Sequence, residues 1–271
     1  MRRSYILGVG TFPNMEEPPA LRFRSATRIH WAEKETKMNK LMMVAGAVAL
    51  AGMMTGCATG KAGEDKVANW QKERTPVEVL KSKIEIKAAG AVVEALDVVP
   101  FGIYKGIADK VDRMAAIERS RRAWLRYKGT VDELVEVEKK SKEEALKIAN
   151  EQLNSLPNAA EVKAQIKTYI AETQKMDFQP ILDWIKTTTE ELQKATEKFA
   201  NETPNALNQL VEIAKKEGGM AVIKIPSQGK DDLAVIGNQL KDAGLGLAMI
   251  VEMVNADREA AKVGPDYPIE G

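Results

Sequence analysis

The chain has 271 residues, 44% hydrophobic and 29% charged, with a formal net charge of +1. That length and balance exclude a disordered polyelectrolyte, and the absence of a strong basic excess argues against a nucleic-acid surface. One cysteine excludes an intramolecular disulfide framework, and the 5% aromatic content favours helix over sheet.

In chain order, residues 1–37 precede a short cationic start, Met38-Asn39-Lys40, and an apolar run from Leu41 to Gly52. The run is shorter than the roughly 20 apolar residues that a spanning helix needs. It ends in Met53-Met54-Thr55-Gly56-Cys57, so the pattern is that of an export signal rather than a permanent span.

The 20 positions from Met38 to Cys57 resemble the lipobox signal of bacterial lipoproteins, in which small residues precede a lipid-modified cysteine. Met54 stands where leucine is usual in that family. The resemblance implies that signal peptidase recognises Met54, Thr55 and Gly56 and cuts before Cys57. Acyl chains would then join Cys57 and hold the protein to membrane lipid, at about 0.8 kcal/mol per buried methylene. Ala58, in place of Asp, resembles an outer-membrane sorting signal, so the expected address is the outer membrane facing the periplasm. On this reading Met38 is the true start, residues 1–37 are an upstream extension and 38–56 are the signal. Removing 1–56 takes away 8 of 40 basic and 4 of 39 acidic residues, which leaves a formal charge near −3.

Residues 57–75 are small and polar, the composition of a flexible tether, and 76–262 form the expected helical domain. Thr75-Pro76-Val77-Glu78 has the cap, proline and acid of a helix start, and Leu80, Ile84, Ala88, Val92 and Leu96 continue one face to a break at Pro100. A second helix is expected from Phe101 to Lys128. A third opens at Thr130 and runs to Leu153, its charged middle, Glu138 to Glu144, in solvent. Val162, Ile166, Tyr169, Thr173 and Met176 form a seam, as do Ile181, Ile185, Thr188, Leu192, Ala195 and Phe199, and the two predict an antiparallel hairpin. Thr203-Pro204 caps a short helix, Met220 to Ile225 reads as an extended connector, and the last helix covers Asp231 to Lys262 before a frayed tail at 263–271. The expected fold is therefore all-α, an elongated antiparallel bundle of about five to seven helices behind a flexible linker.

The single histidine, His30, lies upstream of the cut, and Cys57 would be acylated. The mature chain then lacks the usual nucleophile–base pairs and the preferred ligands of zinc, copper and iron, so no cofactor, metal or catalytic residue is assigned. Ser227-Gln228-Gly229-Lys230 matches a Ser-x-x-Lys pattern without its companion motifs, and Gly244-Leu245-Gly246 lacks the strand and third glycine of a dinucleotide site. Arg119, Arg122, Trp124 and Arg126 are a candidate interaction surface; the simpler reading is cations at a helix C-terminus, favoured by the macrodipole, with Glu118 spaced to pair with Arg122.

Ala88 to Ala91 with Gly102 and Gly106, and Gly237, Gly244 and Gly246, fit either close core packing or apolar helices that bind a partner or enter a bilayer. Two functions follow as expectations. One is a non-catalytic, lipid-anchored scaffold, spacer or interaction module, with an envelope protein or a second copy as partner and no nucleic acid. The alternative is a membrane-active bundle that inserts Val92 to Ile107 and Leu233 to Val254.

Overall fold

The computed structural model describes residues 66–269 and is all-α, with no strand among the described residues. Its helices are α1 (Lys66–Glu73), α2 (Lys87–Ala115), α3 (Glu118–Glu136), α4 (Lys142–Asn154), α5 (Ala159–Thr173), α6 (Gln179–Glu217) and α7 (Ala221–Val263), closed by a 3-10 turn at Gly264–Asp266. The bundle expected from composition and periodicity is present.

Two packing groups share α7, whose 43 residues extend about 65 Å at 1.5 Å per residue. Helices α2, α6 and α7 pack together, burying Val93, Ile107 and Val111 of α2, Leu192, Phe199 and Leu210 of α6, and Ile236, Leu240, Leu247 and Ile250 of α7. Helices α3, α4 and α5 enclose a second core around Trp124, Tyr127, Ile166 and Tyr169, to which Ala260 near the end of α7 also belongs. The α6 seam holds from Thr188 through Leu192, Ala195 and Phe199 and continues to Ala214.

Residues 74–86 are an extended strap beside α2 and α7, and no helix starts at Pro76. Thr75 uses its capping groups elsewhere: its N–H and hydroxyl both donate to Asp242 Oδ2 on α7, at 2.8 and 2.7 Å. The strap backbone is satisfied by side chains of both helices. Leu80 N–H donates to Asp97 Oδ2 at 2.8 Å, Ser82 N–H to Glu94 Oε1 at 3.0 Å, and Gln239 Nε2 to the Glu78 carbonyl at 3.4 Å. With its polar groups paired, the strap can bury Leu80 and Ile84. The buried face of α2 accordingly falls on Ala89, Val93, Asp97, Pro100 and Tyr104, one position beyond the expected stripe.

Prolines mislead the sequence reading twice, since α2 runs through Pro100 and α6 through Pro204; α7 likewise runs through Pro226. Each interior proline costs about 3 kcal/mol, and tertiary packing outweighs it; Pro100 itself is buried. Thr203 is no cap, since its hydroxyl donates to the Phe199 carbonyl within the helix at 2.7 Å. The expected connector at Met220–Ile225 is the start of α7, where helix satisfies the backbone locally and buries Ile225. The true breaks are at 116–117 and at 137–141, where Lys139 has φ 57° and Ser141 caps α4 by accepting from Glu144 N–H at 3.2 Å. Thr130 is interior to α3.

The predicted hairpin of the two seams is not formed. Helix α5 packs on α3, α4 and α7, whereas α6 packs on α7 and α2, so each seam is buried against other helices. The tail is ordered through residue 269: Tyr127 hydroxyl and Asn150 Nδ2 donate to the Pro268 carbonyl at 2.9 and 3.1 Å, and Tyr267 packs edge-on to Trp124.

Candidate functional site

The assigned lipidation residue Cys57 and its recognition residues Met54, Thr55 and Gly56 lie outside the described residues. The four residues of the candidate interaction surface are not one surface. Trp124 is fully buried against Tyr267, with ring centroids 5.4 Å apart, because its indole fills the second core. Arg119 and Arg126 are exposed, with Arg119 3.7 Å from Glu161, and half-buried Arg122 lies 3.6 Å from Glu118. Of the simpler expectation, the Glu118–Arg122 pairing is present, but Arg119 reaches Glu161 on α5 and both arginines lie in the first turns of α3 rather than at a helix C-terminus.

The distinctive charge is the neighbouring Arg121. It is buried. Its Nε and Nη2 donate to Asp257 Oδ1 and Oδ2 on α7 at 2.7 and 3.1 Å, and Nη1 donates to Glu118. Tyr169 of α5 donates to Asp257 Oδ1 at 2.5 Å, so one carboxylate ties α3 and α5 to α7. Burial disfavours the guanidinium charge, but the hydrogen bond and field of Asp257 outweigh it and raise the Arg121 pKa above the usual arginine range. Burial, then the negative charge of Asp257, pushes the Tyr169 phenol well above its ordinary value. The signal for this role was spacing: 121, 124, 127, 131 and 134 form the buried stripe of α3.

A second latch lies two turns along α3. Lys128 reaches Asp132 and, at 3.0 Å, Glu259 of α7; burial opposes its charge, yet these two carboxylates hold its pKa above the ordinary lysine value. Tyr267 hydroxyl donates to Asp132 Oδ1 at 2.8 Å.

Beneath the strap, burial pushes the Asp97 carboxyl up, partly offset by the Leu80 N–H. Asp97 Oδ1 and Gln239 Oε1 are buried without a hydrogen-bond partner among the described residues. Tyr104 donates to the Thr75 carbonyl, and burial followed by the charge of Asp242 lifts its phenol to about 12. Ser82 hydroxyl donates to Asp232 Oδ2 at 2.6 Å, and Arg74 grips Asp112 at 3.1 and 3.2 Å.

Several of these contacts tie together elements distant in sequence: Arg121 to Asp257, Lys128 to Glu259, Ser82 to Asp232 and Arg74 to Asp112. Among the described residues no group of three or more His, Cys, Asp or Glu could hold a metal. Gly246 serves packing, since a Cβ there would lie 2.8 Å from Ile107 Cγ2 and 2.8 Å from Trp70 Cζ2. Gly102 and Gly106 are different, exposed with nothing within 4 Å of a built Cβ. An open groove of about 630 Å³ lies between the end of α5, Phe178 and the Asn255, Arg258 and Lys262 side of α7. No described helix is long and apolar enough to cross a membrane. Comparison with protein-family models, curated proteins and solved structures finds no match to this chain.

Proposed function

We propose that the chain is a lipid-anchored helical protein of the cell envelope, acting without catalysis as a scaffold, spacer or interaction module. The observation that carries the proposal is the lipobox-like run ending at Cys57, nine residues before α1 begins at Lys66. Nine residues reach at most about 32 Å, so an acylated Cys57 would keep the body close to its membrane.

The internal design supports a passive body. The buried pair of Arg121 with Asp257 and the partly exposed pair of Lys128 with Glu259 latch distant helices together, which favours a body that holds its shape. The alternative insertion of residues 92–107 and 233–254 has less support, since Val93, Ile107, Ile236, Leu240, Leu247 and Ile250 are core residues.

The test is the native terminus and its membrane retention. Mass spectrometry should find an acylated Cys57 as the first residue, and Cys57→Ser should move the protein from the membrane to the soluble fraction with its helical circular dichroism unchanged. A free thiol in the native protein would end the proposal.

A further inference from the structure

The turn joining α6 to α7 combines two features that a soluble end does not need together. It is built by Gly218 and Gly219, with φ of 69° and 54°, a backbone that side-chain-bearing residues rarely adopt. Directly after it, Met220 and Ile223 are 70% and 69% exposed, and Val222 is 47% exposed. These are among the most exposed large apolar side chains in the described body. They sit together at the end of a helical hairpin rather than scattered over a face.

Cations frame them. Lys215, Lys216 and Lys224 are exposed on the two helix ends, and the 3.4 Å contact of Lys224 with Glu85 brings exposed Lys83 and Lys87 of the strap region to the same end. Five lysines there face three acids, Glu85, Glu212 and Glu217, two of which already pair with Lys224 and Lys215. A convex, apolar tip ringed by lysines matches an anionic bilayer: the apolar side chains enter the acyl boundary while the ammonium groups stay among the headgroups. A second copy of the tip is disfavoured, because it would set lysines against lysines.

We propose that this tip, Met220, Val222 and Ile223 with Lys215, Lys216 and Lys224, is a contact surface for anionic lipid. The lipid anchor, on which this one consequence rests, fixes the posture. Lys66 lies beside Glu252 at 3.8 Å, which is about 48 Å along α7 from Met220. The nine residues back to Cys57 reach only about 32 Å. If tip and anchor share one bilayer, α7 cannot stand upright and inclines at less than about 45° to the membrane plane.

The test uses the full chain with Cys57→Ser, which removes the anchor, and a single thiol at Ile223→Cys carrying an environment-sensitive fluorophore. Vesicles of phosphatidylcholine, with or without phosphatidylglycerol, carry a quencher in the acyl region. Quenching is expected at position 223 with phosphatidylglycerol, and absent from a control label at Leu156→Cys in the α4–α5 turn. Replacing Lys215 and Lys216 by Glu should weaken the response by about tenfold or more. No quenching at 223, equal quenching without phosphatidylglycerol, or indifference to the lysine substitutions overturns the proposal. A signal at 223 that grows with protein concentration and needs no vesicles assigns the tip to a second copy and overturns it too. None of these outcomes bears on Cys57, whose acylation is decided separately by mass.

Discussion

Arg121 and Asp257, 136 residues apart in the chain, meet in a two-pronged ion pair with side-chain exposures of 2% and 4%. Two parallel hydrogen bonds fix both distance and plane, and Tyr169 and Glu118 satisfy the remaining groups. The pair therefore locks the α3–α5 group onto α7 in one register.

Removing one partner should be far worse than removing both. Asp257→Leu or Arg121→Met leaves a buried charge without its partner, for an expected loss of about 3–5 kcal/mol. The Arg121→Met, Asp257→Leu double variant should lose much less than the sum. Arg121→Lys should not rescue, since an ammonium cannot make the fork. Urea unfolding of the parent, the two single variants and the double variant measures the coupling directly.

The glycines separate into two classes with opposite signs. Gly246→Ala forces a Cβ within 2.8 Å of Ile107 and Trp70, for an expected destabilisation of about 1–3 kcal/mol. Gly102→Ala and Gly106→Ala meet open space in a helix interior, so each should stabilise by up to about 1 kcal/mol. Midpoints of thermal unfolding decide both. A loss of stability at Gly102→Ala would show that this exposed face is covered in solution.

Asp97 makes stability depend on pH. Burial raises its folded pKa above the ordinary aspartate value of 3.8. The unfolded chain therefore releases this proton first, and the contribution of Asp97 to stability falls as pH rises from about 3.8 through the raised folded value. Asp97→Asn retains an acceptor for the Leu80 N–H and removes the charge. The variant should gain stability over the parent at pH 7, a gain that shrinks towards pH 4. A difference independent of pH would contradict the assignment.

At alkaline pH the tyrosines should act as a group. Burial is the leading cause of the rise at Tyr104 and Tyr267, each to about 12, and of the larger rise at Tyr169. Unfolded tyrosine ionises near 10, so stability is retained below that pH and lost as pH climbs towards the folded values. Phenolate absorbance of these three should lag and then appear together with loss of helical circular dichroism. Tyr104→Phe should remove one lagging group and lose the hydroxyl bond to the Thr75 carbonyl.

Local grammar was legible wherever a helix buried one stripe. Thr188, Leu192, Ala195 and Phe199 are all buried as their spacing predicts. The strap was illegible for the opposite reason: Thr75-Pro76-Val77-Glu78 spells a helix start, but its groups bond to Asp242 and Gln239, more than 160 residues away. Pro100 and Pro204 misled for the same cause, since a local penalty of about 3 kcal/mol cannot be weighed before the packing opposed to it is known.

The sequence by itself determined the helical class, the apolar run leading to Cys57 and the exclusion of a disulfide framework, because composition, periodicity and residue counts are local properties. Only the tertiary structure decided that Arg121 is buried while Arg119 is exposed, that Trp124 lies in a core, and that residues 74–86 are extended. Those outcomes depend on desolvation and on partners distant in the chain, and a charged residue carries no local mark of the carboxylate that will meet it.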